Sequence, residues 1–492
     1  MILGMRRCAV LLRSSLQMFS ETRHFYTTRF VENTEVGQPS YESHPHLLTE
    51  GELTPGFTAA EYRQRRRLLA EKLPLNGVAL ISAASPRYFP STVIPYPNYR
   101  QDADFAYLTG VLQPGVTMML ERRHGISSED VGIHYTLFVP SRNIKDEIWN
   151  GPRIGKDAAV HFFGADAAYE AAEMGTVVSR ALQRSSMLFA DIERLCFDAS
   201  RVVFPLVGLM CRGASPKSLH PLIHSLRWKK SSTELDTIRR SVQVDIQGFR
   251  EAIRTSGPRQ LENVVSAHHE HRCKVLGADR LAYPSVVGGG TGALVVHYAA
   301  MDKVLNAGQL LLMDAGCEWR GYVSDITRTW PITGEFSTAQ ADVYDAVHQT
   351  HVACLKAAKQ GVSLNELHML SVSLLSESIV NLGVRQSKTG LKQREYTQYY
   401  PHFVGHWIGM DTHDTPSIST STPIQPGCVF TIEPGLYFPV HDPSVPKGLR
   451  GIGVRIEDNV ALNLNGDTEI LSGSLPVSRS GIENLVREVR KD

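Results

Sequence analysis

Residues 308–331 read GQLLLMDAGCEWRGYVSDITRTWP, and their pattern is the strongest indication of how the second half of the chain folds. Two apolar runs, 308–316 and 321–330, flank the turn CEWRG, a pattern that predicts an antiparallel hairpin. Each run carries one aspartate, Asp314 in the first and Asp325 in the second. We therefore expect two carboxylates to be held close together on neighbouring strands.

The same arrangement recurs nearer the C-terminus. The runs CVFTIEPGLYF (428–438) and GIGVRIEDNVAL (451–462) are strand-like and are joined by a loop rich in Pro, Asp and Gly. They carry Glu433 and Glu457. Side chains alternate along a strand, so Arg455 shares a face with Glu457.

Helices are predicted around these two strand pairs. Capping-box pairs mark the starts of three of them: Ser231 with Glu234, Ser337 with Gln340, and Ser363 with Glu366. Residues 226–492 thus form two halves, each with helices and a strand pair. This organisation is α+β rather than a doubly wound sheet.

The first part of the chain has a different pattern. From residue 57 to 225, apolar runs such as GVALISAAS alternate with helical stretches such as 166–190, which predicts an α/β domain. No catalytic constellation stands out in it. Residues 31–56 are polar, rich in Pro and Gly, and predict an extended connector.

Residues 1–30 have the composition of a mitochondrial targeting leader. They contain Ser and Thr, a single acid, Glu21, and five arginines: Arg6, Arg7, Arg13, Arg23 and Arg29. The early arginines interrupt the apolar part, which argues against a secretory signal. We expect mitochondrial localisation.

Composition excludes several classes of function. The 51 Lys and Arg nearly balance the 50 Asp and Glu, so no nucleic-acid partner is expected. Apolar runs fall short of the roughly 18 residues that span a membrane. The seven cysteines are scattered without a CxxC pair, which fits a reducing compartment.

The four acids within apolar runs predict a metal site. Burying an isolated carboxylate costs several kcal/mol or more unless it is paired or metal-bound. The nearby cations Arg328, Arg450 and Arg455 are too few to pair all four acids. An oxygen-rich donor set suits Mn²⁺, Co²⁺ or Fe²⁺, and a pair of such ions lowers the pKa of a shared water.

The segment HFVGHWIGMDTHD, between the two strand pairs, adds His402, His406 and His413. The first two have the spacing of a zinc-protease helix. Phe403 stands where that motif needs glutamate, however, so this interpretation is excluded.

These motifs in this order resemble the pita-bread metallopeptidases of the aminopeptidase P and prolidase group. The resemblance implies an α+β pita-bread catalytic domain, preceded by a creatinase-like α/β domain, and two divalent metal ions with manganese preferred. It also implies the metal ligands, which are Asp314, Asp325, His406, Glu433 and Glu457.

The resemblance further implies residue roles. Asp325 and Glu457 are expected to bridge the metals, and Glu433 to accept and donate protons. Three histidines are expected to bind substrate or to stabilise the oxyanion, namely His297, His402 and His413. Arg455 is expected to be a partner of the carboxylates.

The segments 37–66 and 99–110 are similar to the mitochondrial Xaa-Pro aminopeptidases and intermediate-cleaving peptidases of this group. This likeness implies hydrolysis of the N-terminal bond before proline, trimming of imported mitochondrial proteins, and a homodimer. Three alternatives stay open: a prolidase-type dipeptidase, a metal-free pita-bread binding module, and a creatinase-like amidinohydrolase. The complete ligand set disfavours the last two.

Overall fold

The computed structural model describes residues 36–92, 94–96, 99–124, 131–185, 187–191, 216–385 and 393–490. The predicted leader lies outside these ranges. Within them, no helix combines the length and apolar character needed to cross a membrane.

The chain first forms a short hairpin and then an α/β domain. The hairpin pairs β1 (Glu52–Thr54) with β2 (Phe57–Thr58). The domain strands are β3 (Gly77–Ser82), β4 (Thr117–His124), β5 (Val131–Val139), β6 (Ala167–Glu170) and β7 (Met187–Ala190). Its helices are α1 (Ala59–Lys72), α2 (Ala103–Thr109), α3 (Ile144–Asn150), α4 (Lys156–His161) and α5 (Met174–Arg184).

The five strands form one mixed sheet in the order β6-β5-β4-β3-β7. The central pairs are antiparallel, whereas β7 and β6 join the edges in parallel. The helical prediction for 166–190 is wrong at both ends, because β6 and β7 occupy them and α5 lies between. Pairing with a sheet edge overrides local helical preference there.

The helices of the second domain are α6 (His220–Arg227), α7 (Ser232–Thr255), α8 (Glu262–Val275), α9 (Thr338–Ala357), α10 (Leu364–Asn381), α11 (Gln393–Tyr396) and α12 (Arg479–Val489). All three predicted capping boxes are present at the starts of α7, α9 and α10. Helices α7 and α8 pack together, as do α9 and α10, and this gives each half its helical layer.

The strands of this domain are short. They are β8 (Arg280–Leu281), β9 (Val286–Gly289), β10 (Leu310–Ala315), β11 (Cys317–Trp319), β12 (Tyr322–Val323), β13 (Ile326–Pro331), β14 (Val429–Ile432), β15 (Gly435–Tyr437), β16 (Gly453–Arg455), β17 (Asp458–Leu462) and β18 (Thr468–Ile470).

Both predicted strand pairs form. Strand β10 pairs with β13, with Asp314 opposite Thr327. The segment CEWRG is more than a turn, since β11 and β12 make a second small hairpin beside β8. The C-terminal runs each split in two, so that β14 pairs with β17 and β15 with β16.

A backbone bridge between β13 and the residue before β17 helps to link the two halves. The Glu457 amide donates to the Thr327 carbonyl at 3.0 Å. Arg328, with no exposed side-chain surface, reinforces the link through a 2.6 Å ion pair with Asp458. Its guanidinium also donates to the carbonyls of Glu457 and Leu475. Arg328 therefore forms an ion pair with Asp458, the residue after Glu457, and not with any of the four acids predicted to bind metal.

Arg328→Met should lower the free energy of unfolding by about 3–5 kcal/mol, because the substitution leaves Asp458 buried without its partner. Urea denaturation of both proteins measures the difference. Arg239→Met is the control, since Arg239 pairs with the part-exposed Glu469 at 2.6 Å; the expected loss there is about 0–1 kcal/mol. Equal losses in the two variants would contradict the proposed link.

Candidate active site

The four predicted carboxylates converge where the two halves meet. Asp314 lies on β10, Asp325 immediately precedes β13, Glu433 follows β14, and Glu457 precedes β17. Acids at strand ends can reach into a shared space while the apolar residues of the strands pack in the core.

His406 reaches the same space from the segment alongside β14. Its carbonyl accepts a 2.9 Å hydrogen bond from the Thr431 amide. The His406 Nε2 atom lies 3.3 Å from Asp325 Oδ2 and 3.7 Å from Glu433 Oε1. Asp325, His406 and Glu457 each place one donor atom within 4.8 Å of the others.

Arg455 and Tyr283 hold the two aspartates. Arg455 Nη2 lies 2.5 Å from Asp314 Oδ2. The Tyr283 hydroxyl lies 2.6 Å from Asp314 Oδ1 and 2.5 Å from Asp325 Oδ1. These groups contact both oxygens of Asp314 and one oxygen of Asp325, and each carboxylate oxygen keeps a further lone pair for a ligand.

Glu457 is oriented by a neighbour from the other half. The Thr327 hydroxyl donates to Glu457 Oε2 at 2.8 Å and accepts from Arg455 Nε at 3.1 Å. These two hydrogen bonds of Thr327 join the two strand pairs through side chains, in addition to the backbone bridge.

Crowding of the carboxylates changes their acidity. Burial raises the pKa of Glu433 to about 7, although the charges of His406 and Arg455 act in the opposite direction. Burial, together with the charges of Asp325 and Glu433, holds the pKa of Glu457 well above its ordinary value. The protein's own cations thus do not offset the clustered negative charge.

His406 has the opposite perturbation. Burial alone lowers its pKa, but the hydrogen bond to Asp325 and the charges of Asp325 and Glu433 raise it to about 9. In the protein alone, His406 therefore acts as a cation among the acids. A divalent metal can replace that proton, because imidazole and carboxylate oxygens are both ligands for such ions.

His402 lies at one edge of the cluster. Its Nε2 atom is 2.8 Å from the Tyr437 hydroxyl, and its Nδ1 atom is 3.7 Å from Glu433 Oε2. Burial and the charge of Arg455 lower the His402 pKa to about 3, so the ring is neutral. Arg455 Nη1 donates to the Tyr437 hydroxyl at 2.7 Å.

His413 lies on the other side of the cluster. Its ring stacks on that of His406 at a centroid distance of 4.1 Å. The charge of His406 and then burial lower the pKa of His413, and His297 contributes in the same direction. His297 is exposed beyond the 3₁₀ turn Gly290–Leu294, which places it at the rim.

The sequence interpretation missed three hydroxyl groups of the site. Tyr283, Thr327 and Tyr437 contact the predicted residues, but neither charge nor motif distinguishes them from core residues. Alternation along β13 was the available signal for Thr327, since it places Asp325 and Thr327 on one face. Tyr283 precedes β9 in an ordinary apolar segment and had no such signal.

Comparisons with known proteins agree with this geometry. The family profile named Metallopeptidase family M24 matches residues 236–463, and the Aminopeptidase P, N-terminal domain profile matches residues 62–189. The chain is 39% identical over 467 residues to mitochondrial intermediate cleaving peptidase 55 of Arabidopsis thaliana, covering 94% of this chain and 90% of that protein. The chain belongs to the M24 metallopeptidase family.

Other relatives of this M24 peptidase point the same way. It is 35% identical over 485 residues to Xaa-Pro aminopeptidase 3 of Homo sapiens, covering 96% of this chain and 93% of that protein. Its structure matches the low-pH form of aminopeptidase P from Escherichia coli with a TM-score of 0.79 and 29% identity, covering 89% of this chain and 100% of that one. The predicted α+β pita-bread fold with a creatinase-like N-terminal domain, and the metallo-aminopeptidase class, are confirmed.

The donor set of this M24 peptidase fits divalent metal. Carboxylates whose pKa values are raised by burial and by mutual repulsion are stabilised by a dication. The donor atoms of Asp325, His406 and Glu457 are close enough to share one. Asp314 and Glu433 lie beside them, which gives enough oxygen donors for a second ion.

Metal should stabilise the protein more at high pH than at low pH. Without metal, the folded protein holds the Glu433 proton more tightly than the unfolded chain does, because the pKa is raised from 4.5 to about 7. The resulting contribution to the free energy of unfolding is complete below pH 4.5 and is lost as the pH rises through about 7. His406 behaves in the same way: its contribution to the free energy of unfolding is complete below pH 6.5 and is lost as the pH rises through about 9. Metal binding requires loss of these protons.

The expected result is a larger Mn²⁺-induced rise in Tm at about pH 8 than at about pH 5.5, since proton competition weakens binding at low pH. Thermal denaturation of chelator-treated protein, with and without Mn²⁺, measures it. The same rise in Tm at both pH values would be inconsistent with a site made of these titrating ligands.

Proposed function

We propose that this metallo-aminopeptidase hydrolyses the N-terminal peptide bond of peptides and proteins, preferentially when the second residue is proline. The observation that carries the proposal is the convergence of four carboxylates and His406 where the two halves meet. The relatives named Xaa-Pro aminopeptidase and intermediate cleaving peptidase support the bond specificity.

Two ions, with Mn²⁺ as the preferred metal, are proposed to bind Asp314, Asp325, His406, Glu433 and Glu457. Asp325 and Glu457 are the proposed bridging ligands. When bound, the metals would supply an activated water and polarise the scissile carbonyl. Arg455, Tyr283 and Thr327 hold the carboxylates in position, so that the remaining lone pairs of these acids would be directed at the metals.

Glu433 is the proposed proton carrier. It stands beside Asp325 and His406, with His402 Nδ1 at 3.7 Å from its other oxygen. A carboxylate in this position can accept a proton from water and deliver it to the leaving nitrogen. The neutral His402 favours this role because it does not add a competing positive charge.

His297 and His413 are proposed to bind the substrate carbonyl groups. His413 faces the centre through its stack on His406, and His297 stands at the rim, where a peptide would enter. Donors held at these positions stabilise negative charge that develops on the carbonyl oxygen. His402 would complete the pocket beside Tyr437.

The substrate's free α-amine is the proposed determinant of exopeptidase action. The carboxylate-rich centre can accept a hydrogen bond or an ion pair from an amine next to the scissile bond. Blocking that amine removes the interaction. This distinguishes the enzyme from an endopeptidase that binds only the internal chain.

Free-amine peptides of the form Xaa-Pro-Xaa should be cleaved after the first residue, whereas their N-acetylated counterparts should resist cleavage. Mass spectrometry of the products from metal-loaded protein measures both. Xaa-Ala-Xaa peptides are the control for proline preference. Equal hydrolysis of acetylated peptides would refute the exopeptidase proposal, and cleavage of dipeptides alone would favour the prolidase alternative.

His413→Ala should lower kcat on the order of 10²–10³-fold, as for the loss of one oxyanion donor. Both metals should stay bound, because His413 is not among the proposed ligands. Steady-state kinetics and elemental analysis of the same preparation measure the two effects. A normal kcat, or a loss of metal that accounts for the loss of activity, would argue against a substrate role.

Mitochondrial localisation and trimming of imported proteins are proposed from the leader composition and from the Arabidopsis thaliana relative, whose name includes the word mitochondrial. Residues 1–30 fused to a fluorescent protein should direct it to mitochondria, because an Arg-rich, acid-poor segment is recognised by the import machinery. A leader with its five arginines changed to glutamine is the control. Diffuse cytosolic fluorescence from the unaltered fusion would exclude this targeting role.

The proposed assembly is a homodimer.

A further inference from the structure

A buried ion cluster joins the N-terminal domain to the loop that carries His413. Its centre is Arg227, at the end of α6, with 3% of its side chain exposed. One side of the guanidinium binds Asp104 of α2 in the N-terminal domain. The other side lies 2.9 Å from Asp411 and 2.5 Å from Asp414 in the catalytic domain.

Two further cations hold the same loop. Lys230 Nζ lies 3.0 Å from Asp414 Oδ2, and both side chains are 1% exposed. Arg100, from the N-terminal domain, lies 2.8 Å from Asp411 Oδ1. The two aspartates that flank the segment of His413 therefore each bind two cations.

The N-terminal anchor is itself fully paired. The second oxygen of Asp104 lies 2.7 Å from His220 Nδ1 and 3.4 Å from His224 Nε2. Burial raises the pKa of Asp104, but Arg227 and these histidines reverse the effect and hold it well below the ordinary value. Asp104 is thus a stable anion to which Arg227 can remain attached.

The backbone of the loop requires such support. Thr415, fully buried, has φ at +49°, a left-handed conformation that a β-branched residue rarely adopts. A Cβ atom at Gly409 would lie 2.5 Å from Asp414 Oδ2 and 2.9 Å from Lys230 Cε. The ion pairs therefore hold a strained loop in a tightly packed place.

His413 immediately precedes Asp414, so the position of Asp414 controls where the imidazole lies. The ring stacks on His406 at 4.1 Å. A small rotation of the loop would move the ring away from the carboxylate cluster without altering the ligands.

We propose that Arg227 and Asp104 are positioning residues, which hold the loop of His413 and so align its imidazole with the substrate carbonyl. The inference rests on the proposed role of His413. Through this contact the N-terminal domain acts on catalysis as well as enclosing the site.

A double-mutant cycle tests the proposal. Arg227→Lys keeps the charge but loses the forked contact to both domains, and Asp104→Asn removes the anchor with little change in shape. Each should lower kcat on the order of 10–100-fold, as for a misplaced reacting group, with KM changed by less than about threefold. Metal content should equal that of the unaltered protein.

In a His413→Ala background, the same substitutions should change kcat by less than about twofold, because the residue they position is gone. A purely structural role would lower kcat by equal factors in both backgrounds, and that result overturns the proposal. Arg239→Met is the matched control, and its kcat should be unchanged in either background.

The outcomes distinguish the two proposals. The unaltered protein and His413→Ala are measured with the same Xaa-Pro peptide. If the unaltered protein does not cleave that peptide, the proposed function is refuted, but the positioning role of Arg227 and Asp104 is not. The cycle is then run with whatever peptide the protein cleaves. If Arg227→Lys does not fold, Asp104→Asn decides the matter, and an unchanged kcat in Asp104→Asn overturns the inference.

Discussion

The constraint on which this structure depends is the crowding of four carboxylates at the boundary between two apolar halves. Like charges removed from water repel one another and lose hydration, so the site is stable only when each acid has a partner. Arg455, Tyr283 and Thr327 provide part of that partnership, and His406 provides another part while it keeps a proton. The raised pKa values of Glu433 and Glu457 show that the protein alone leaves the balance incomplete. A divalent metal completes it, which is why a site of this kind belongs to a metallopeptidase.

The rest of the fold supplies rigidity to that crowded centre. The bridge between Thr327 and Glu457 and the buried contacts of Arg328 keep the two halves in register. The second ion cluster, around Arg227, extends the same rigidity to the N-terminal domain and to the loop of His413. The proposed metal ligands and the loop of His413 are therefore held by different ion pairs. A change in one set need not disturb the other.

Local patterns predicted the elements of the second domain well. Ser231, Ser337 and Ser363 begin helices through short-range capping contacts, and the acid-bearing strands paired as their apolar runs required. Local patterns predict the elements of the N-terminal domain less well, because short edge strands such as β6 have a pattern that also suits a helix. The local pattern of CEWRG predicts only a turn, because the pairing of β11 with β8 brings together residues more than 30 positions apart in the sequence.

Local sequence was enough to predict a cluster of carboxylates and its order along the chain, because carboxylates in apolar strands need a cation wherever they are buried. It also determined the helix starts and the pairing of the strand runs, since these follow from neighbouring residues. The packing of distant elements sets which neutral groups orient the acids, and it gives Arg328 and Arg455 different partners. It alone revealed the ion cluster at His413, where Arg100 and Asp411 meet across 311 residues. Such contacts depend on how distant elements pack, and no local pattern of charge or hydrophobicity records that packing.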